Sequence, residues 1–139
     1  MFATAATTRN THAVAYRQVG VETGVAAASS HQLVQMLFDG FDDALAQALG
    51  AMQAGQVEAK CKALGRAVRI VEEGLSANLN LSAGGDLAAD LRDLYRYVGV
   101  RLLHANLHND AAALAECRRL VRPLRDAWAS IAPGAGRAA

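Results

Sequence analysis

The sequence predicts an all-α domain: an antiparallel up-down-up-down four-helix bundle with a flexible N-terminal arm or short helical cap. Three observations carry that prediction. The 139-residue chain holds 31 Ala but only 3 Phe, 3 Tyr and 1 Trp, a composition that favours helix over strand. Apolar residues recur at steps of three and four in four separate segments. Short, punctuated turns divide those segments, and short turns make consecutive helices antiparallel neighbours.

The first helix is expected from about Ser30 to Ala54. Leu33, Leu37, Phe41, Leu45, Ala48 and Met52 lie close to one face, and Val34, Phe38 and Leu49 widen it. A stripe that wide meets more than one neighbour. Ser29 and Gln32 have the spacing of a capping box, and Gly55 suits the left-handed residue that ends a helix. The second helix is expected from Val57 to Asn78, with Cys61, Leu64, Val68, Val71 and Leu75 on the seam. Lys60, Lys62, Arg66, Arg69, Glu72 and Glu73 then read as its solvated face. A polar turn follows, ending in Gly84-Gly85.

The third helix is expected to start at Asp86, as cap or first-turn acid, and to run to Leu107. Leu87, Leu91, Leu94, Val98 and Leu102 form its stripe. The fourth is expected over 110–131, with Leu114, Cys117, Val121, Leu124 and Trp128 in register. Pro123 sits inside it and predicts a kink near 119–122. Residues 1–28 read as a mobile arm, 29–131 as the bundle and 132–139 as a disordered tail.

Charge narrows the partners. Twelve Arg and 2 Lys stand against 8 Asp and 5 Glu, a formal net charge of +1, which gives no electrostatic case for nucleic acid or an anionic membrane. No run approaches eighteen apolar residues, so no membrane insertion is expected. No charged region followed by an apolar block opens the chain, so no signal peptide is expected. The expected location is the cytoplasm. Cys61 and Cys117 show no CxxC spacing and read as small buried hydrophobes.

Sites for chemistry are few. His104 and His108 stand one helical turn apart, as two metal ligands can, but a zinc site takes three or four. They read instead as surface histidines near a helix C-terminus. Asp39, Asp42 and Asp43 read as a solvated acidic face. Arg118, Arg119, Arg122 and Arg125 form a basic stripe without stacking aromatics, which reads as a solvated face or a rim for an acidic peptide. There is no phosphate-binding loop, dinucleotide fingerprint or nucleophile elbow. The residues point to a binding protein with no cofactor and no metal, and not to an enzyme. A surplus of apolar residues on the first helix marks a partner surface.

Two long stretches carry a family resemblance. Residues 29–40, SSHQLVQMLFDG, resemble the ASPHQLIxMLFDG segment of the FliS family of flagellin-specific export chaperones. Residues 93–110, DLYRYVGVRLLHANLHND, resemble that family's LYxYxxRRLLxANLxND segment. Gly84-Gly85-Asp86-Leu87-Ala88 is similar to its KGGEIA turn, Ala15-Tyr16-Arg17-Gln18-Val19 to its AYxxV piece, and Trp128 to a terminal AW. The resemblance spans roughly Tyr16 to Ile131. Ser30 replaces the family's usual proline, and Pro123 stands in a helix usually written without one.

The resemblance implies a cytoplasmic chaperone that binds the disordered C-terminal region of flagellin. It would block premature polymerisation and pass the client to a gate component of the flagellar type III export apparatus. The alternative it implies is a regulatory protein that binds flagellar regulators, an anti-sigma factor or a flagellin-translation regulator. Val14, Tyr16 and Val19 would form a lid over apolar surface. Leu33, Met36, Leu37 and Phe38 would line or back the client groove, although Leu33 and Leu37 read first as core. Tyr95, Tyr97, Arg101 and Asn106 match the third-helix motif and complete the expected partner-binding set. Tyr95 and Tyr97, two apart, cannot share a face, so one is expected in the core and one outside. Asn109 and Asp110 read as turn and cap. Surplus apolar surface makes the free protein a monomer or weak homodimer.

Overall fold

The computed structural model describes residues 29–131. The chain divides into two compact units, one of residues 1–33 with 133–139 and one of residues 34–132. Of the first unit only residues 29–33 are described, so the expected arm and tail lie outside the described residues. The second unit contains the bundle.

The described chain is helical almost throughout, with α1 at Ser30–Gln53, α2 at Val57–Arg69, α3 at Leu81–His108 and α4 at Ala111–Ser130. The helix ends follow the predicted chemistry. Ser29 Oγ accepts from the Gln32 amide at 3.1 Å, and Gln32 Oε1 accepts from the Ser29 amide at 2.8 Å, the reciprocal capping box. At the other end Gly55 has φ +71°, and the Gln56 amide reaches back to the Ala51 carbonyl at 2.9 Å, closing a Schellman turn. Asn109 adopts φ 49° to end α3, and Asp110 caps α4 by accepting from the Ala113 amide at 3.2 Å.

Two elements depart from expectation. The segment after α2 stays coiled to Asn78, as predicted, but its winding changes twice. It widens to π-helix over Ile70–Leu75 and tightens to a 3-10 turn over Ser76–Asn78. The Ser76 amide donates to the Val71 carbonyl five residues back. The third helix starts earlier than Asp86. Asn80 caps a first turn at Leu81, and Gly85, at φ 56° and ψ −134°, breaks the spiral before it continues. Only glycine enters that backbone region without strain. The turn that composition suggested is therefore an interrupted helix. Across Pro123 α4 continues to Ser130 without a non-helical residue.

Small residues set the packing distance between helices. Ala44, Ala48, Ala67, Ala105 and Ala113 are fully buried beside Phe41, Leu45, Val71, Val98, Leu102, Leu114 and Cys117. Alanine in the seam rotates the buried stripe away from the large-residue pattern. Cys61 is therefore exposed, while its neighbour Lys60 is 5% exposed, which reverses the sequence expectation for both. Leu87, just past the Gly85 break, is 69% exposed and not on the core stripe, where Ala88 and Tyr95 stand instead.

Candidate functional site

Buried Lys60 explains how α2 meets α3. Its Nζ donates to the Asn106 carbonyl at 2.9 Å and to Asn109 Oδ1 at 2.7 Å. An ammonium here satisfies carbonyls at a helix C-terminus, where the dipole favours positive charge, and its stem fills the seam. Next to it the Cys61 thiol donates to Asn106 Oδ1 at 3.4 Å. Asn106, an expected partner-binding residue, thus ties two helices together.

The α3–α4 seam is closed by a polar ladder. Tyr97 Oη donates to Glu116 Oε2 at 2.6 Å, and Arg101 Nε donates to Glu116 Oε1 at 2.7 Å. These bonds hold the Glu116 carboxyl below its usual range, the tyrosine first and the arginine second, and push the Tyr97 phenol up. One turn on, His104 Nε2 lies 3.1 Å from Asp110 Oδ2, and the His104 and His108 rings sit 4.6 Å apart. No group of three or more potential metal ligands occurs among the described residues. Tyr95 and Tyr97 diverge as expected: Tyr95 is buried, its phenol pushed up to about 12 by desolvation, and Tyr97 is exposed.

On the opposite side α1 is laced to α4. Arg118 makes a bidentate pair with Asp42, at 3.0 and 3.1 Å. Arg125 Nε meets Asp39 at 2.9 Å and its Nη1 lies 3.5 Å from Asp42. The Arg118 bond, followed by the surrounding arginine charges, holds the Asp42 carboxyl below its ordinary value, against desolvation. Asp39 and Asp42 are therefore not a solvated face, and Arg118 and Arg125 are not a free stripe. Periodicity placed each set on a polar face but could not show that the two faces meet.

The surplus apolar surface is found mainly on α3. Val100, Leu103 and Leu107 are 59%, 58% and 79% exposed and follow one ridge at steps of three and four. The ridge borders a groove of about 300 Å³ between α3 and the π-helical segment, lined by Val71, Glu72, Ser76, Tyr95, Arg96 and Leu103 among others. Val71 and Ser76 are the two ends of the π-type hydrogen bond, so the widened turn shapes the groove wall. Such turns recur at functional sites.

The expected first-helix residues divide. Leu33 and Met36 are exposed, so Leu33 is not core. Leu37 is half-buried, its Cδ2 3.0 Å from where a Cβ on Gly74 would stand. Phe38 is buried and backs the surface without lining it. Val14, Tyr16 and Val19 lie outside the described residues. The ridge of Val100, Leu103 and Leu107 was missed by sequence reasoning, although it shows as a second apolar stripe offset from Leu94, Val98 and Leu102.

A small helical bundle with an exposed ridge and groove is compatible with many binding proteins, and relatives discriminate among them. The family model described as "Flagellar protein FliS" matches residues 12–135. The chain belongs to the FliS family. It is 46% identical over 121 residues to the flagellar secretion chaperone FliS of Salmonella typhimurium, covering 87% of this chain and 90% of that one. Against the Escherichia coli protein of the same name identity is 44%, covering 82% and 84%. Against the Bacillus subtilis protein it is 33%, covering 82% and 80%. The alignments span most of each protein, so the family assignment covers the whole bundle. No helix among the described residues is long and apolar enough to cross a membrane.

Proposed function

We propose that this chain is a cytoplasmic export chaperone that holds the C-terminal region of a flagellin in the groove between the π-helical segment and α3 and along the Val100–Leu103–Leu107 ridge. The observation that carries the reading is that ridge: three large aliphatic side chains kept in water, two of which, Val100 and Leu103, line a groove rimmed by Glu72, Arg92 and Arg96. A disordered client that folds on binding needs an extended apolar track of this kind, and an amphipathic helix fits a groove between two helices. Leu33 and Met36 extend the track along α1. The protein works by binding, not by catalysis, and the loaded complex is passed to a component of the export gate.

Calorimetry and gel filtration with a flagellin C-terminal region from the same genome test the reading. The expected result is a one-to-one complex with a negative heat-capacity change and a gain of helix. Leu103→Asp with Leu107→Asp is expected to abolish it while leaving the thermal melt in place. A double variant that binds as tightly as the parent would overturn the groove assignment. Capture of a flagellar regulator with no flagellin would move the function to regulation.

A further inference from the structure

The α1–α4 face carries a second groove of different chemistry, about 230 Å³ in volume. Leu49 and Ala115 lie over the buried Leu114, and Arg118, Arg119 and Arg122 form the rim. No carboxylate lines it. Arg118 is committed to Asp42, but Arg122 reaches that carboxylate only at 3.7 Å and is 53% exposed. Arg119 makes no hydrogen bond or ion pair to any described residue. The nearby Glu116 is turned to Tyr97 and Arg101 on α3, and Asp43 and Asp126 pair with none of these arginines.

Four guanidinium groups, those of Arg118, Arg119, Arg122 and Arg125, thus face two neutralising carboxylates, Asp39 and Asp42. Arg119, whose charge is felt by Glu116 without a bond to it, and Arg122, 3.7 Å from the Asp42 carboxylate that Arg118 already holds, stand beside an apolar floor with no carboxylate of their own. The chain's own ends do not match them, since residues 1–28 carry Arg9 and Arg17 against Glu22, and residues 132–139 carry Arg137. Nucleic acid is disfavoured by the aliphatic floor and the absence of an aromatic stacking platform.

We propose that the α1–α4 groove is a docking surface for an acidic amphipathic helix of a partner protein. The partner helix lies lengthwise between α1 and α4, its apolar side on Leu49 and Ala115. Carboxylates one turn apart on it meet Arg119 and Arg122, themselves three residues apart and so on one face. Arginine suits this task because it stays charged and offers paired donors to a carboxylate. The surface shares no lining residue with the groove between the π-helical segment and α3, so a client and an acidic partner can be held together.

The test is fluorescence anisotropy on the full chain. The probe is a labelled synthetic peptide of about 18 residues, roughly 27 Å long as a helix, with Leu at helical spacing flanked by Glu. Saturable, salt-sensitive binding is expected. The pair Arg119→Glu and Arg122→Glu should weaken it by about tenfold or more. The pair Arg66→Glu and Arg69→Glu on α2 makes the same change in net charge and should shift it by less than about twofold. If the first pair fails to fold by circular dichroism, Arg119→Ala serves alone, since that side chain has no bond to lose within the bundle. It should weaken the probe measurably and leave flagellin binding unchanged.

Four results would overturn the proposal. They are equal loss in the α2 pair, equal binding of the same peptide with Lys for Glu, full displacement by a single-stranded oligonucleotide, and self-association of the parent that Arg119→Glu with Arg122→Glu abolishes. The last would assign the groove to a second copy of the chain.

Discussion

The two long sides of the bundle solve opposite problems. Where α1 meets α4, charged side chains cross between helices: Asp39 and Asp42 pair with Arg118, Arg122 and Arg125. Where α2 meets α3, the one ammonium is buried on helix-end acceptors, and large aliphatic side chains stand in water beside it. The first side is closed by its own electrostatics apart from the rim at Arg119 and Arg122. The second is held together from beneath and left open on top. An interface that binds an apolar partner cannot also satisfy its exposed apolar area internally, so its rigidity has to come from below the surface.

The largest expected effect lies under both sides at once. Phe41→Ala removes a side chain that is 1% exposed and should cost about 3–5 kcal/mol. Denaturant melts would show it, and the open and closed sides should be lost together in one transition. A change confined to one side should separate them. Lys60→Met keeps the stem and removes the ammonium, leaving the Asn106 carbonyl and Asn109 side chain short of a donor. A loss of about 1.5–3 kcal/mol is expected, with client affinity falling as the ridge loses its support. If Lys60→Met leaves both stability and affinity unchanged, the ridge is not held from below.

The closed side should respond to acid. The folded-state carboxyl of Asp42 titrates below its ordinary value of 3.8, chiefly through the Arg118 bond. Its stabilisation is therefore fully present above the unfolded value and is lost as pH falls through the lower folded value. Solvent screening at the partly exposed pair keeps the effect small. Asp42→Asn should cost about 1 kcal/mol at neutral pH, as a partly exposed ion pair does, and should flatten the stability profile below pH 4. An unchanged acid limb in thermal melts would show that the α1–α4 pairs add nothing. Glu116 and Asp110 are also depressed and titrate in the same direction, so the Asp42→Asn profile is flattened and not abolished.

The smallest change in stability is expected on the open side. Leu107→Lys, at a side chain 79% exposed, should shift stability by less than about 0.5 kcal/mol. In calorimetry the same substitution should weaken flagellin binding. Stability without affinity is what distinguishes a ridge kept for a partner from one kept for packing.

Local chemistry was legible in the sequence. The capping box at Ser29 and Gln32, the left-handed Gly55, the Asp110 cap and the divergence of Tyr95 from Tyr97 all follow from interactions within a few residues. So do the four helices and their order, because helical periodicity is a local property and short turns leave one arrangement of neighbours. The continuity of α4 across Pro123 was legible too, in a stripe that stays in register to Trp128.

Tertiary structure decided what depended on the rotation of one helix against another. Alanines carry little weight in an apolar stripe yet fix the contact face, so Lys60 turned inward and Cys61 outward. Asp39 and Asp42 looked solvated until α4 brought arginines to them. Tyr97, Arg101 and Asn106 belong to a motif that reads as a partner surface, and they close seams within the bundle. Val100, Leu103 and Leu107 became a ridge because α3 was rotated to put Val98 and Leu102 in the core. The sequence by itself determined the four coiled segments, though not the extra turn at Leu81 or the change of winding after Arg69, and which family they resemble, since those follow from contacts between residues close along the chain. Packing alone determined which faces are spent on the bundle and which remain for a partner, because burial belongs to pairs of helices and not to either one.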